Sequence, residues 1–306
     1  MTTRAVGPAR GWDWLMRAVN LGSQNAKALF GAAALLMVIA MVPTGLQMLL
    51  ARGGSTAPNP TLVGGWVVFA ILYSVLVMPP ATAGFLRVVH AVETGASTRA
   101  AAIFDGYRNG AGRMIGMSVI LMLLAILFLG GLLALFGGHF LEGMEEFVAA
   151  AQSAAAAGSG KPQLPPLPDG FGTLLGLLVI FGLFFNGVYA LSFGQAALGG
   201  RGIGESIRDG IAGTFKNVLP LLGLLLLVLV AGLVAMIVAG IVIGLLAVVG
   251  SLVHPVLGML LVVPAYLALM VVVYVIAFGV MYYMWRDICG GEAASMPASS
   301  ADQFQA

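Results

Sequence analysis

Two patterns of apolar and polar positions alternate along this chain. Six long runs carry no charge: Ala28–Leu50, Leu62–Phe85, Met114–Phe136, Phe171–Ala197, Val218–Val249 and Val256–Trp285. Each exceeds the roughly 20 apolar residues with which an α-helix crosses a bilayer core. Shorter stretches between them have the 3.6-residue period of amphipathic helices. In Gly11–Lys27, Trp12, Leu15, Val19, Gly22, Ala26 and Leu29 share one face, and Asp13, Arg17, Asn20, Gln24 and Lys27 lie opposite. In Thr98–Arg113, Ala100, Ile103, Phe104, Tyr107, Ala111 and Met114 oppose Asp105, Arg108, Asn109 and Arg113. In Ile203–Asn217 the stripe is Ile203, Ile207, Ile211 and Phe215, running on to Val218. Such helices are predicted to lie in the membrane interface, with Trp12 and Trp14 at headgroup level.

The predicted fold is therefore all-α: six transmembrane helices as three hairpins, each preceded by an interfacial helix. Ile103-Phe104-Asp105-Gly106 recurs as Ile207-Arg208-Asp209-Gly210, in both cases ahead of a basic residue and a long apolar run. A basic side chain marks each junction: Lys27, Arg113 and Lys216. Each can snorkel to a lipid headgroup while its stem stays in the apolar layer. Asp105 and Asp209 read as solvated residues, Asp105 pairing with Arg108. Pro43 is expected to kink or end the first span, and Pro79-Pro80 to break the second, freeing carbonyls that need a new donor. Arg87 and His90 mark the exit of that second span. The connection Gly137–Gly170 holds an acidic amphipathic stretch and a proline-rich linker. Met1–Arg10 and the small, polar residues from Gly290 onward are expected to be disordered.

Composition agrees with this reading. The 306 residues are 60% apolar and 8% charged, with a mean hydropathy of +1.03; a soluble domain carries about 25% charged residues. A net charge of +2 provides no basic face for nucleic acid, and the single cysteine, Cys289, allows no internal disulfide. The first apolar run is of span length, unlike a signal peptide. Of the 14 Lys and Arg residues, all but Arg52 and Lys161 fall on the side of the chain termini. The positive-inside rule therefore assigns both termini to the cytoplasm and residues 137–170 to the outside.

Candidate chemistry is sparse. None of the six runs contains Asp, Glu, Lys or Arg, which argues against a proton relay. Asn186, Tyr189 and Gln195 are either a polar seam for a substrate or interhelical hydrogen bonds worth about 0.6–2 kcal/mol each. Packing carries more weight. Glycines four apart (Gly106/Gly110, Gly112/Gly116, Gly172/Gly176, Gly240/Gly244) suggest close helix approach. His139, Glu142 and Glu146 share a helical face with metal-ligand spacing, but an exposed acidic helix accounts for them as well. Ser192 lacks a base in any span. No nucleotide-binding loop or Cys/His cluster occurs, so no cofactor, metal or catalytic residue is assigned.

Gly11-Trp12-Asp13-Trp14, Pro79-Pro80 ahead of Ala83-Gly84-Phe85, Phe104-Asp105-Gly106-Tyr107-Arg108 and the ending Tyr282–Asp287 resemble a group of uncharacterised proteobacterial six-helix inner-membrane proteins. That group is distantly similar to the membrane domain of some glycerophosphodiester phosphodiesterases. The resemblance implies a bacterial inner-membrane location and carries no catalytic residue. The expected role is non-enzymatic: organising lipid or supporting assembly of other membrane proteins. The alternative is a transporter of an apolar or lipid-like solute.

Overall fold

The structure is a computed structural model that describes residues 3–23, 25–51, 60–156, 167 and 170–290. Among the described residues there are helices and no strands. Among the same residues six helical stretches, one of them the interrupted Leu62–Glu93, are long and apolar enough to cross a membrane, the build of a multi-pass membrane protein. In order, the elements are α1 (Arg10–Asn20), α2 (Ala26–Ala51), α3 (Pro60–Leu76), α4 (Met78–Glu93), a 3-10 turn (Ala100–Phe104), α5 (Asp105–Arg108), α6 (Ala111–Phe136), α7 (Gly138–Ala156), α8 (Phe171–Ala197), α9 (Ile203–Lys216), α10 (Val218–Val253) and α11 (Pro255–Ile288). The proline-rich segment 161–166 and the tail 291–306 lie outside the described residues. So do the side chains of His139 and Glu142, and with them the metal-ligand spacing noted in the sequence.

The prolines act in two ways. Pro79-Pro80 end the hydrogen-bond ladder: α3 stops at Leu76 and α4 restarts at Met78. Tyr107, from the short helix α5, donates its hydroxyl to the Val77 carbonyl at this break, 2.8 Å away. Burial, then the neighbouring Tyr73, push the Tyr107 hydroxyl above its ordinary pKa, so it remains a donor. Pro43 does not end its helix, which continues to Ala51. A proline leaves the carbonyl four residues earlier without its donor. Here that carbonyl is Ile39, and the Tyr73 hydroxyl takes it at 2.7 Å, while Trp66 Nε1 donates to the Pro43 carbonyl. Aromatic side chains thus replace the lost backbone donor, as a low-dielectric setting requires.

The chain divides into two compact units, one from the described residues up to Ser118 and from Gly187 onward, the other Val119–Asn186. In the smaller unit Phe181 stacks on Phe128 and Phe185, with centroids 4.7 and 5.3 Å apart. The larger unit is sewn together by glycines that touch backbone. A Cβ on Gly106 would lie 1.9 Å from the Pro80 carbonyl oxygen and 2.8 Å from the Gly84 nitrogen. On Gly210 it would meet the Val188 oxygen at 2.8 Å and the Ser192 nitrogen at 3.2 Å; on Gly11, the Pro220 oxygen at 2.6 Å and the Leu224 nitrogen at 2.8 Å. Each time the glycine sits between residues i and i+4 of a span. Of the spaced glycine pairs, Gly106 makes this backbone contact and a Cβ on Gly116 would lie 3.0 Å from Ile203 Cδ1, whereas Gly112, Gly172, Gly176, Gly240 and Gly244 face open space.

These short helices have two different sides. α1 buries Gly11, Trp14 and Ala18 and exposes Trp12, Met16 and Val19. Trp14, expected among headgroups, is fully buried. α9 buries Ser206, Asp209, Gly210, Gly213 and Thr214 and turns Ile211 and Phe215 outward, Phe215 to 64%. Its inward side is small and polar, while its outward side mixes the apolar Ile211 and Phe215 with the charged Glu205, Arg208 and Lys216. Residues 98–113 are not one helix: they comprise the 3-10 turn, α5 and a left-handed glycine, Gly110 (φ 85°), that redirects the chain into α6. Among the described residues no ion pair joins Asp105 and Arg108. The N-terminal segment, expected to be disordered, is seated from Thr3: Arg4 N donates to the Ile288 carbonyl and Val6 N to Asn217 Oδ1.

Candidate functional site

The ends of several helices meet in the larger unit. The C-terminal turn of α11 provides Tyr282, Tyr283, Trp285, Arg286 and Asp287 in one run. Asp287 accepts from Trp14 Nε1 at 3.0 Å and from Arg17, both on α1. Arg286 donates to Glu93 at the end of α4 at 2.7 Å, and Tyr283 donates to the second Glu93 oxygen at 2.8 Å. The Arg17 and Arg286 guanidiniums lie 4.6 and 4.8 Å from the Tyr283 ring centroid. Two ion pairs with one shared aromatic ring therefore clamp α1, α4 and α11. Their side chains are 16–29% exposed, which reduces solvent screening relative to a surface pair.

A second relay lies deeper. Trp285 Nε1 donates to Gln195 Oε1 at 3.1 Å, and Gln195 Nε2 donates to Asp209 Oδ2 at 2.7 Å. Asp209 is only 7% exposed, so its sequence-based assignment to a solvated face is wrong. The outward-facing residues of α9 include Ile211 and Phe215, which leaves Asp209 on the protein side. Gln195 is consumed by this relay. Asn186 Nδ2 donates to the Gly182 carbonyl of its own helix, and the Tyr189 ring lies tilted against Phe193 with centroids 4.4 Å apart. Gln195 thus bonds across helices, whereas Asn186 is exposed and bonds only within its own helix.

The junction cations differ among themselves. Lys216 Nζ donates to the Thr3 carbonyl and hydroxyl, both at 3.0 Å, and so fastens the N-terminal segment. Arg113 Nη1 donates to the Gly200 carbonyl at 3.1 Å, and its Nε is buried without a partner. Lys27 is exposed. Among the described residues no three His, Cys, Asp or Glu side chains converge as metal ligands would. Cys289 is buried, and burial followed by the Asp209 charge pushes its thiol up to about 12.

No family model, no curated protein and no solved structure matches this chain.

One more cation, Arg87, stands just beyond the charge-free run that ends at Phe85. Its guanidinium reaches three backbone carbonyls: Ala197 at 3.4 Å, Asp105 at 3.3 Å and Asn109 at 2.9 Å. Beside it opens a cleft of about 560 Å³, lined by Arg87, Ser97, Thr98, Arg99, Ala102 and Asp105 among others. From sequence, Arg87 reads only as a span exit, and Glu93, Arg286 and Asp287 pass unnoticed as a clamp. What could have found them is their common position, within a few turns of the end of a charge-free run.

Proposed function

We propose that this is a non-enzymatic multi-pass protein of the bacterial inner membrane that organises lipid or supports the assembly of partner membrane proteins. In this reading the six spans form three hairpins and both termini face the cytoplasm. α1, the 3-10 turn with α5, and α9 lie in the cytoplasmic interface as amphipathic segments. The observation that carries the reading is the outward turn of large apolar side chains on α9 and at the start of α10, beside a buried small and polar side. Asp209, Ser206 and Thr214 are buried while Ile211, Phe215 and, at the start of α10, Leu219 are exposed. Burial of such a side chain is worth about 1.5–3 kcal/mol, so a stripe of them turned toward water would be unfavourable. Turned toward acyl chains it is solvated. The ion-pair clamp of α1, α4 and α11 supports a rigid platform rather than a gate.

Extraction in polymer-bounded native-lipid particles, followed by identification of what travels with the chain, tests the reading. A stoichiometric protein partner or a shell enriched in anionic lipid is the expected result. A stoichiometric apolar solute without either would count against it. One observation favours a second reading, a transporter of an apolar or lipid-like solute: the break at Val77 between α3 and α4. Broken helices at matching repeat positions mark many transporter sites, whereas α8, α10 and α11 run unbroken. Joint substitution of Asn186 and Tyr189 that abolishes solute flux with normal folding would favour transport over a platform.

A further inference from the structure

The cleft beside Arg87 has donors to spare. Arg87 has five N–H groups and uses three of them on carbonyls, leaving two. Arg99 is exposed and, among the described residues, its side chain forms no hydrogen bond and meets no carboxylate. The hydroxyls of Ser97 and Thr98, and the backbone N–H groups of residues 97–99, likewise donate to no acceptor among the described residues. A third cation stands nearby. Gly31 of α2 approaches Ala100 so closely that a Cβ on it would come within 2.8 Å of the Ala100 Cβ. Lys27 is exposed one turn before Gly31 on the same side of α2, outside the lining of the cleft but on the face that meets the 3-10 turn. Asp105 supplies the one carboxylate among the lining residues. The balance is an excess of positive charge and of free donors.

The chemistry that uses this set is a phosphate group. Guanidinium forks match phosphate oxygens with paired, charge-assisted hydrogen bonds, and hydroxyls and free amides complete the shell. The depth of the cleft selects among phosphates. Arg87 is the first charge after the run that crosses the hydrocarbon, so the cleft opens at the level of lipid headgroups. We propose that the Arg87–Arg99 cleft binds the phosphate of an anionic phospholipid headgroup. This rests on the lipid-organising reading above and gives it a specific site.

The test uses the full chain, stripped of lipid in a neutral maltoside, and native mass spectrometry during titration with dioleoyl phosphatidylglycerol or dioleoyl phosphatidylcholine. The expected result is preferential retention of phosphatidylglycerol. Removing one interfacial cation should weaken that retention about fivefold. Arg99→Gln is the first variant, because the Arg99 side chain holds nothing in the fold. Lys27→Gln is the second. Arg208→Gln, which removes an exposed arginine of α9 outside the cleft, should change nothing. If Arg99→Gln and Lys27→Gln both retain phosphatidylglycerol like the wild type, the cleft is not the site, and the lipid-organising reading survives without it. Absence of any preference in the wild type overturns the proposal, while the native-particle experiment still judges the wider reading. If excess inorganic phosphate binds in the cleft and phosphatidylglycerol does not, the ligand is a free anion and the lipid assignment fails.

Discussion

Gly106→Ala is the most direct probe of how the short segments are seated. The added methyl would lie 1.9 Å from the Pro80 oxygen and 2.8 Å from the Gly84 nitrogen, both backbone atoms of α4. Neither can rotate away, so the 3-10 turn and α5 must retreat from α4. That retreat would strain the Tyr107 hydrogen bond to Val77 and the Arg87 bonds to Asp105 and Asn109. Overpacking costs about 1–3 kcal/mol, and a contact that is backbone on both sides falls at the upper end. The smaller entropy of the unfolded alanine chain returns about 0.4–1 kcal/mol. The net loss is about 2 kcal/mol, or roughly 5 °C in Tm for a chain of this size. Gly112→Ala is the control: nothing lies within 4 Å of its added Cβ, and in a helix alanine gains about 1 kcal/mol over glycine. Melting of detergent-solubilised protein, followed by fluorescence-detected size exclusion, reads the difference. Gly84→Ala, whose Cβ would meet the Ile103 oxygen, should behave like Gly106→Ala. If Gly106→Ala melts with the wild type, or in step with Gly112→Ala, the glycine seat is not what holds α5 on α4.

Tyr73→Phe leaves the Ile39 carbonyl of the Pro43 helix without a donor and should lower stability by about 0.6–2 kcal/mol in the same melting assay. Ser74→Ala, at a residue whose hydroxyl bonds only within its own helix, should shift the melt much less, and equal shifts would remove Tyr73 as the replacement donor. Glu93→Gln and Arg286→Met, separately and together, form a thermodynamic cycle; the charge-assisted bond should give a coupling of about 1–3 kcal/mol, and additive losses would remove the clamp from the account. Cys289 should resist maleimide at pH 8 in the folded chain and react once it unfolds, because its thiol is pushed up to about 12. The unfolded thiol ionises near its ordinary 9.0, so the contribution of this group to stability is present below that pH and is lost as the pH rises from there toward about 12. A melting temperature that does not fall over that interval would contradict the buried thiol.

How much was legible in the sequence depends on which solvent each side chain meets. The six apolar runs could be read because hydrocarbon demands long, uncharged helices, and composition records that directly. The Pro79-Pro80 break could be read because a missing donor is a property of the residue itself. The survival of the Pro43 helix could not, since it depends on Tyr73 arriving from another helix. The placement of Asp209 failed for a more general reason. An amphipathic pattern reveals two faces, but whether the apolar one meets protein or lipid is set by the neighbours. On α9 the small and polar face meets α8, with Gly210 against Val188 and Asp209 on Gln195, and Ile211 and Phe215 are left outside.

The three glycine seats show the same dependence on neighbours. Gly106, from the segment before α6, rests on α4; Gly210, from the helix before α10, rests on α8. In both, the segment leading into one span packs on the end of the span before it. Gly11, in the segment ahead of α2, rests on a later span. That span is α10, while Ala18 closes on Gly279 of α11 and Trp14 and Arg17 bind Asp287 near the end of that helix. The last helix thus does for α1 what α4 and α8 do for the later segments. The repeated Asp-Gly pair was visible as sequence, but its meaning lies in the glycine, which permits backbone contact, while the two aspartates diverge: Asp105 stays at the rim of the cleft and Asp209 is buried. A shared seat with divergent acids is what a repeated structural module would leave once its surface positions were free to specialise, and the headgroup site proposed above lies beside one of the two seats, where Asp105 lines the cleft.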